Sequence, residues 1–394
     1  MKDNLGLGAM LEYIEKYGKL SFDEKPLNEI DNLIFSQLVY TDFDDIVDNE
    51  KNEFLCDAAI KYSLLHSDEE IEQLLGIDQK SFHLMLACAK TKRYGYVRLT
   101  NYVNSVNVAI DKQFSGINFI LNDHSSLIAF RGTDATVAGV KESAMLSYMF
   151  PVPAQIEALH YFQETAMLQK GDIYVCGHSK GGNLAVFAAV NCSNSLKKQI
   201  AAVYEYDAPG FPKWFFSRYD YKQIKNKIHL YTPQGSIIGR MLYHDEKPTI
   251  VVSSNFGIKQ HQVSSWEIVD DRFETVDKYD SFSNFCAEYI NTLIDYVGDD
   301  DLEVFFDTLE YVLTNMSIED FYDLKNFDLK NAFGLIDSLS NLDDAQKERF
   351  KLIIKRASAD FAKEFISGKA RGYSKRAKQY FEQLKEELSL KEKQ

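Results

Sequence analysis

Gly177-His178-Ser179-Lys180-Gly181 sets a serine between two glycines at the GxSxG spacing. The apolar run Ile173-Tyr174-Val175-Cys176 precedes it, and a segment rich in small residues, Gly181 to Val190, follows. A buried strand feeding a tight turn that opens a helix is the setting in which a serine hydroxyl is lifted above a sheet as a nucleophile. Gly177 and Gly181 must then be small where the strand and helix backbones approach. The helix start beneath the serine presents N–H groups to developing negative charge, and the N–H of Lys180 is the natural first oxyanion donor. The alternative is a structural glycine turn with a serine helix cap; the strand and helix on either side favour the nucleophile.

A second oxyanion donor has to come from an earlier strand end. The run Leu127-Ile128-Ala129-Phe130 leads into Arg131-Gly132-Thr133, where the N–H and hydroxyl of Thr133 can face an oxyanion. In an α/β hydrolase the acid and then the base histidine follow the serine in the chain. His261 comes after Pro248–Ser254, the last apolar run of the core, and is the candidate base; His244, before that run, is the alternative. His178 adjoins the serine too closely to fold back on it and reads as a packing residue, and His229 lies inside a strand run as a face histidine. Asp207 closes the run Ile200–Tyr206. Parallel strand ends lie about 5 Å apart, so it can reach a histidine beside the neighbouring strand. A site without an acid, or with Asp245, stays open, as does a turn-capping role for Asp207 before Ala-Pro-Gly.

Taken together, "FRGT" and "GHSKGGNLA", in this order, resemble the class-three lipases, the fungal-lipase type of α/β hydrolase. The longer string from Gln113 to Asp134, with "PVPAQIEAL" from Pro151, "DAPGF" from Asp207 and "QHQVSSW" from Gln260, is similar to a bacterial family of α/β-hydrolase-like relatives of those lipases. The resemblance runs from near the N-terminus to about residue 275. It implies that the base histidine precedes a tryptophan, as His261 precedes Trp266. It also implies a carboxylate within Tyr231–Gly239, where this chain has Gly235 and Ser236 instead, a departure from the lipase pattern. The segment between Thr133 and Pro153 corresponds to the lipase lid. Its Met145, Leu146, Tyr148, Met149 and Phe150 suit an acyl chain or an interface, and equally a core helix.

The elements that must position these residues follow from periodicity. Apolar residues at three- and four-residue spacing make 1–95 a helical segment packed on the core. Residues 96–280 alternate strands with helices and loops, starting with a hairpin of "GINFIL" and "SSLIAF". That alternation predicts an α/β fold with a mostly parallel central sheet, here the α/β-hydrolase core. Residues 281–394 return to helix as a C-terminal extension.

The 394 residues, 45% hydrophobic, with 27 Phe and 23 Tyr, are ample for such a core. A net charge of −15 opposes nucleic-acid binding. The last segment, Ala345–Gln394, is nevertheless basic, with 14 Lys/Arg against 7 Asp/Glu, and reads as a solvated helical face or a peripheral contact to anionic lipid. Five scattered cysteines without CxxC spacing indicate neither a disulfide framework nor a zinc site, and no cofactor motif is present. There is no leader pattern and no apolar run long enough to span a membrane, so a cytoplasmic protein is expected. The reading is thus a serine esterase or lipase-like acyl hydrolase acting on a small-molecule or lipid ester. Acyl transfer to another acceptor uses the same residues. A non-catalytic interaction protein on a hydrolase fold is the contrasting alternative. Acyl length, head group and oligomeric state are not encoded in any motif.

Overall fold

The computed structural model describes residues 6–47, 53–74, 76–122, 124–133, 142, 145–255, 257–296, 301–303, 348, 349 and 352. Eight strands form one sheet whose spatial order is the chain order: β1 (Glu53–Phe54), β2 (Arg98–Asn107), β3 (Lys112–Asn122), β4 (Ser125–Phe130), β5 (Asp172–His178), β6 (Ile200–Tyr206), β7 (Ile228–Pro233) and β8 (Thr249–Val251). Pairs from β1 to β4 are antiparallel, including the β3–β4 hairpin, and pairs from β4 to β8 are parallel.

Successive side chains of a strand point to opposite faces, and each face here has its own core. Along β4, Leu127 and Ala129 join one buried cluster while Ile128 and Phe130 join another. The first is completed by Met10 and Tyr13 of the helix Gly8–Tyr17, by Ile30 to Phe35 of the helix Glu29–Leu38, and by Leu84, Met85 and Trp266. The second is completed by Ala158 and Phe162 of the helix Pro153–Met167 and by Leu184 to Val190 of the helix Lys180–Asn191. Helices therefore cover both faces, as continuous apolar strands such as β5 require.

The N-terminal helices are fixed by polar contacts as well as by packing. Asn28 caps the helix Glu29–Leu38, accepting from the N–H groups of Ile30 and Asp31, while Asp31 accepts from the Asn28 N–H. Asp31 also takes Nε of Arg93 at 2.8 Å and the Tyr94 hydroxyl at 2.6 Å, with both ion-pair partners fully buried. Arg93 spends its remaining donors on the carbonyls of Leu20, Ser21, Lys25 and Pro26. A buried guanidinium is tolerable only when satisfied in this way.

Two strands escape the periodicity. β1 is two residues long, inside an otherwise helical stretch. β2 carries three asparagines, a residue depleted in strands, and its register shifts between Thr100 and Val103 around Asn101 at φ 54°. Pairing with β3 and burial of Leu99 override that propensity. Of the C-terminal region, the helix Ser281–Tyr296 is described, and the basic segment lies outside the described residues apart from Glu348, Arg349 and Leu352. Cys88, Cys176 and Cys192 are buried free thiols and Cys56 is half-buried. Among the described residues no helix is long and apolar enough to cross a membrane.

Candidate active site

β5 ends in the core at His178, and the chain turns at Ser179 into the helix Lys180–Asn191. Ser179 has φ 57° and ψ −133°, a conformation that costs a non-glycine residue about 1–3 kcal/mol and must be imposed by its surroundings. Those surroundings are tight. A Cβ on Gly177 would stand 2.2 Å from the carbonyl carbon of Gly181, and one on Gly181 would stand 2.2 Å from the Phe130 oxygen at the end of β4. The Ser179 N–H donates to the Tyr206 carbonyl at 2.9 Å, tying the turn to the end of β6.

Asp207 is the next residue after that carbonyl. It is fully buried, with φ 46°, and its N–H is held by Tyr231 O of β7 at 2.8 Å. Oδ2 lies 2.6 Å from Nδ1 of His261. Oδ1 accepts from the hydroxyl of Ser236 and from the N–H of Gly239 at 3.2 Å. A carboxylate only accepts, so Nδ1 of His261 carries the proton and the lone pair is left on Nε2. Ser236, which with Gly235 occupies the stretch where the lipase resemblance implies a carboxylate, thus donates to the carboxylate that follows the neighbouring strand.

His178 does more than pack. It is buried, and burial together with the neighbouring His261 holds its pKa well below the ordinary histidine value, which keeps the ring neutral. Its Nε2 is 2.8 Å from the His261 carbonyl, which can only accept; Nε2 therefore donates, and Nδ1 receives the Tyr40 hydroxyl at 3.2 Å. The two imidazoles lie 4.5 Å apart, centroid to centroid. Among the described residues no hydrogen bond joins Ser179 to His261, and it is the neighbouring His178 that His261 touches.

Thr133 is half-buried directly after Gly132. A Cβ on Gly132 would meet Tyr40 Oη at 2.2 Å, His178 O at 2.5 Å and Ser179 Cβ at 3.2 Å, so the Arg131–Thr133 turn lies against the serine. The Lys180 side chain, unassigned by sequence reasoning, is fully buried. Its Nζ donates to Glu142 at 2.6 Å and to the backbone and side-chain oxygens of Gln113 at 2.7 and 2.8 Å. Glu142 in turn accepts the N–H groups of Gln113 and Ala154, each at 3.0 Å. A lysine at the start of a buried helix demands a buried carboxylate; that was the available signal, although it does not say which one.

The other candidates lie elsewhere. His244 Nδ1 is 3.8 Å from Glu205 Oε1, Asp245 is bonded by Lys225 at the surface, and His229 stacks on Tyr204 at 4.9 Å. Met145 and Leu146 are buried against Val152 and Leu242, Met149 is exposed, and Phe150 packs on Phe187, Phe211, Trp214 and Phe215. Residues 134–141, 143 and 144 of this segment lie outside the described residues.

A sheet parallel from β4 to β8 and covered by helices on both faces, with the turn at Ser179 following β5, is a lipase-like α/β-hydrolase fold. The chain belongs to the Mbeg1-like family, whose sequence model matches residues 88–310. Among solved structures it is similar to that of M37 lipase, at 16% sequence identity and a TM-score of 0.31, over 53% of this chain and 67% of that one. No curated protein sequence matches it significantly.

Proposed function

We propose that the protein is a serine esterase of the class-three-lipase type, working through an acyl-enzyme on Ser179. Ser179 Oγ attacks the ester carbonyl carbon while His261 Nε2 takes its proton, and Asp207 orients the ring and stabilises its cation. The N–H groups of Thr133 and Lys180 hold the oxyanion. The leaving alcohol departs with the proton from His261. Water then attacks the acyl carbon, again through His261, and releases the acid.

The observation that carries this reading is the 2.6 Å Asp207–His261 contact beside a strained serine turn. It offers an oriented imidazole that touches the residue preceding Ser179, and catalytic Ser–His bonds are commonly long until substrate is held. The apolar group of Met145, Leu146, Val152 and Leu242, with Met149 exposed nearby, supports a lid that receives the acyl chain of a small-molecule or lipid ester. The cluster shared by the N-terminal helices and the sheet supports residues 1–95 as a cover of the hydrolase core.

A fluorophosphonate probe tests the assignment. Wild type is labelled and Ser179→Ala is not; equal labelling of both rejects it. The missing Ser179–His261 hydrogen bond favours a second reading, a fold retained without turnover. A folded preparation that neither labels nor cleaves p-nitrophenyl esters of any chain length decides for it.

A further inference from the structure

On the opposite face of β6 from Tyr204 and Tyr206, Glu205 turns toward the helix Lys180–Asn191, its Cβ 3.0 Å from where a Cβ on Gly182 would be. It is 1% exposed. One ligand atom from each of Glu205, His244 and Glu246 lies within 4.8 Å of the other two. One atom of this group, Glu205 Oε2, is buried without a hydrogen-bond partner among the described residues. Buried polar atoms are nearly always paired, and a lone carboxylate oxygen is among the costliest to leave alone. Lys225 does not answer this charge, since it is engaged with Asp245, between the two loop residues.

We infer that Glu205, His244 and Glu246 form a site for one divalent transition-metal ion of the zinc or manganese type. One imidazole nitrogen and two carboxylate oxygens suit such ions, whereas calcium asks for six to eight oxygens. The 3.8 Å between His244 Nδ1 and Glu205 Oε1 is too long for a hydrogen bond. It is close to the roughly 3.3–3.5 Å that separates two ligands bound at about 2.0–2.1 Å in a tetrahedron.

The frame around the site is built. Phe211 and Tyr243 exchange backbone hydrogen bonds at 2.8 and 3.1 Å, and Gly210 lies so close beneath that a Cβ there would stand 2.0 Å from Tyr243 O. The buried Tyr221 hydroxyl donates to Glu246 Oε1 at 2.7 Å, the outer support that ligating carboxylates usually have. The site contains no cysteine, which is why cysteine spacing gave no sign of it. An ion here joins the end of β6, two residues before Asp207, to the connection between β7 and β8. It acts as a clamp, and the inference stands whether or not the protein turns over esters.

The full-length protein, stripped with a chelator and dialysed, is titrated with Zn2+ and separately with Mn2+; bound metal is counted by elemental analysis and thermal melting is followed. The expected result is one ion per chain and a raised Tm. Glu205→Gln and His244→Ala should each weaken binding by more than the roughly 10–100-fold that follows loss of an outer partner. Glu205→Gln is isosteric and should fold without metal; should it not fold, Glu246→Gln takes its place. No stoichiometric binding of either ion overturns the proposal, as does weak binding shared equally by wild type and variants.

Discussion

Replacing Asp207 by asparagine probes the best-defined contact of the site. Oδ1 of Asp207 faces two donors, the Ser236 hydroxyl and the Gly239 N–H, while Oδ2 faces His261. The amide oxygen of Asp207→Asn must stay with the two donors, which leaves the NH2 group pointing at His261. An NH2 there can only donate, so Nδ1 of His261 becomes the acceptor and the ring proton moves to Nε2. The nitrogen that should take the serine proton is then already protonated. For a hydrolytic triad this wrong tautomer costs about four decades in kcat, or about 5.4 kcal/mol of barrier. The fold should survive, because the substitution is isosteric and keeps both donors satisfied. Steady-state hydrolysis of p-nitrophenyl esters, with the fluorophosphonate labelling rate as a second measure, reads the effect. A loss of less than about tenfold in a folded variant refutes the reasoning and removes Asp207 from the mechanism.

Ser236→Ala deletes one donor to a buried carboxylate; a charged hydrogen bond is worth about 1.5–3 kcal/mol, so kcat should drop by about one to two decades, with KM little changed. Lys180→Met leaves Glu142 buried and unpaired and should destabilise the protein by about 3–5 kcal/mol, read from denaturant midpoints; Lys180→Met with Glu142→Gln should recover much of that. His178 is held neutral in the fold, below its unfolded pKa of about 6.5, so the unfolded chain binds the extra proton. Its contribution to stability is therefore full above that pH and lost as the pH falls toward the folded value. The difference in Tm between wild type and His178→Gln should shrink on going from pH 7 to pH 5, and a constant difference contradicts the assignment. Tyr40→Phe removes the acceptor's partner on His178 and should lower kcat by less than tenfold while KM holds.

Much of the architecture was legible because it is local. The apolar runs of β3 to β7 and the turn around Ser179 are contiguous in sequence, and period and glycine placement reveal them. The Asp207–His261 contact could be anticipated from strand adjacency, since Asp207 follows β6 and His261 follows β8 in a sheet of sequential order. What stayed hidden depends on tertiary partners. β2 reads as polar and irregular until β3 lies beside it. His178 looks like packing until the His261 carbonyl arrives from 83 residues away. The partner of Lys180 is Glu142, in a segment with no periodic signature, and the opposition of Glu205 to His244 needs the loop after β7 to fold back under β6.

The meeting of Ser236 and Asp207 over a single oxygen has a consequence for the connection after β7. The Ser236 hydroxyl and the Gly239 N–H hold Oδ1 while Oδ2 holds the imidazole, so that connection and the ring are fastened to one carboxylate, and a shift of either is felt by the other.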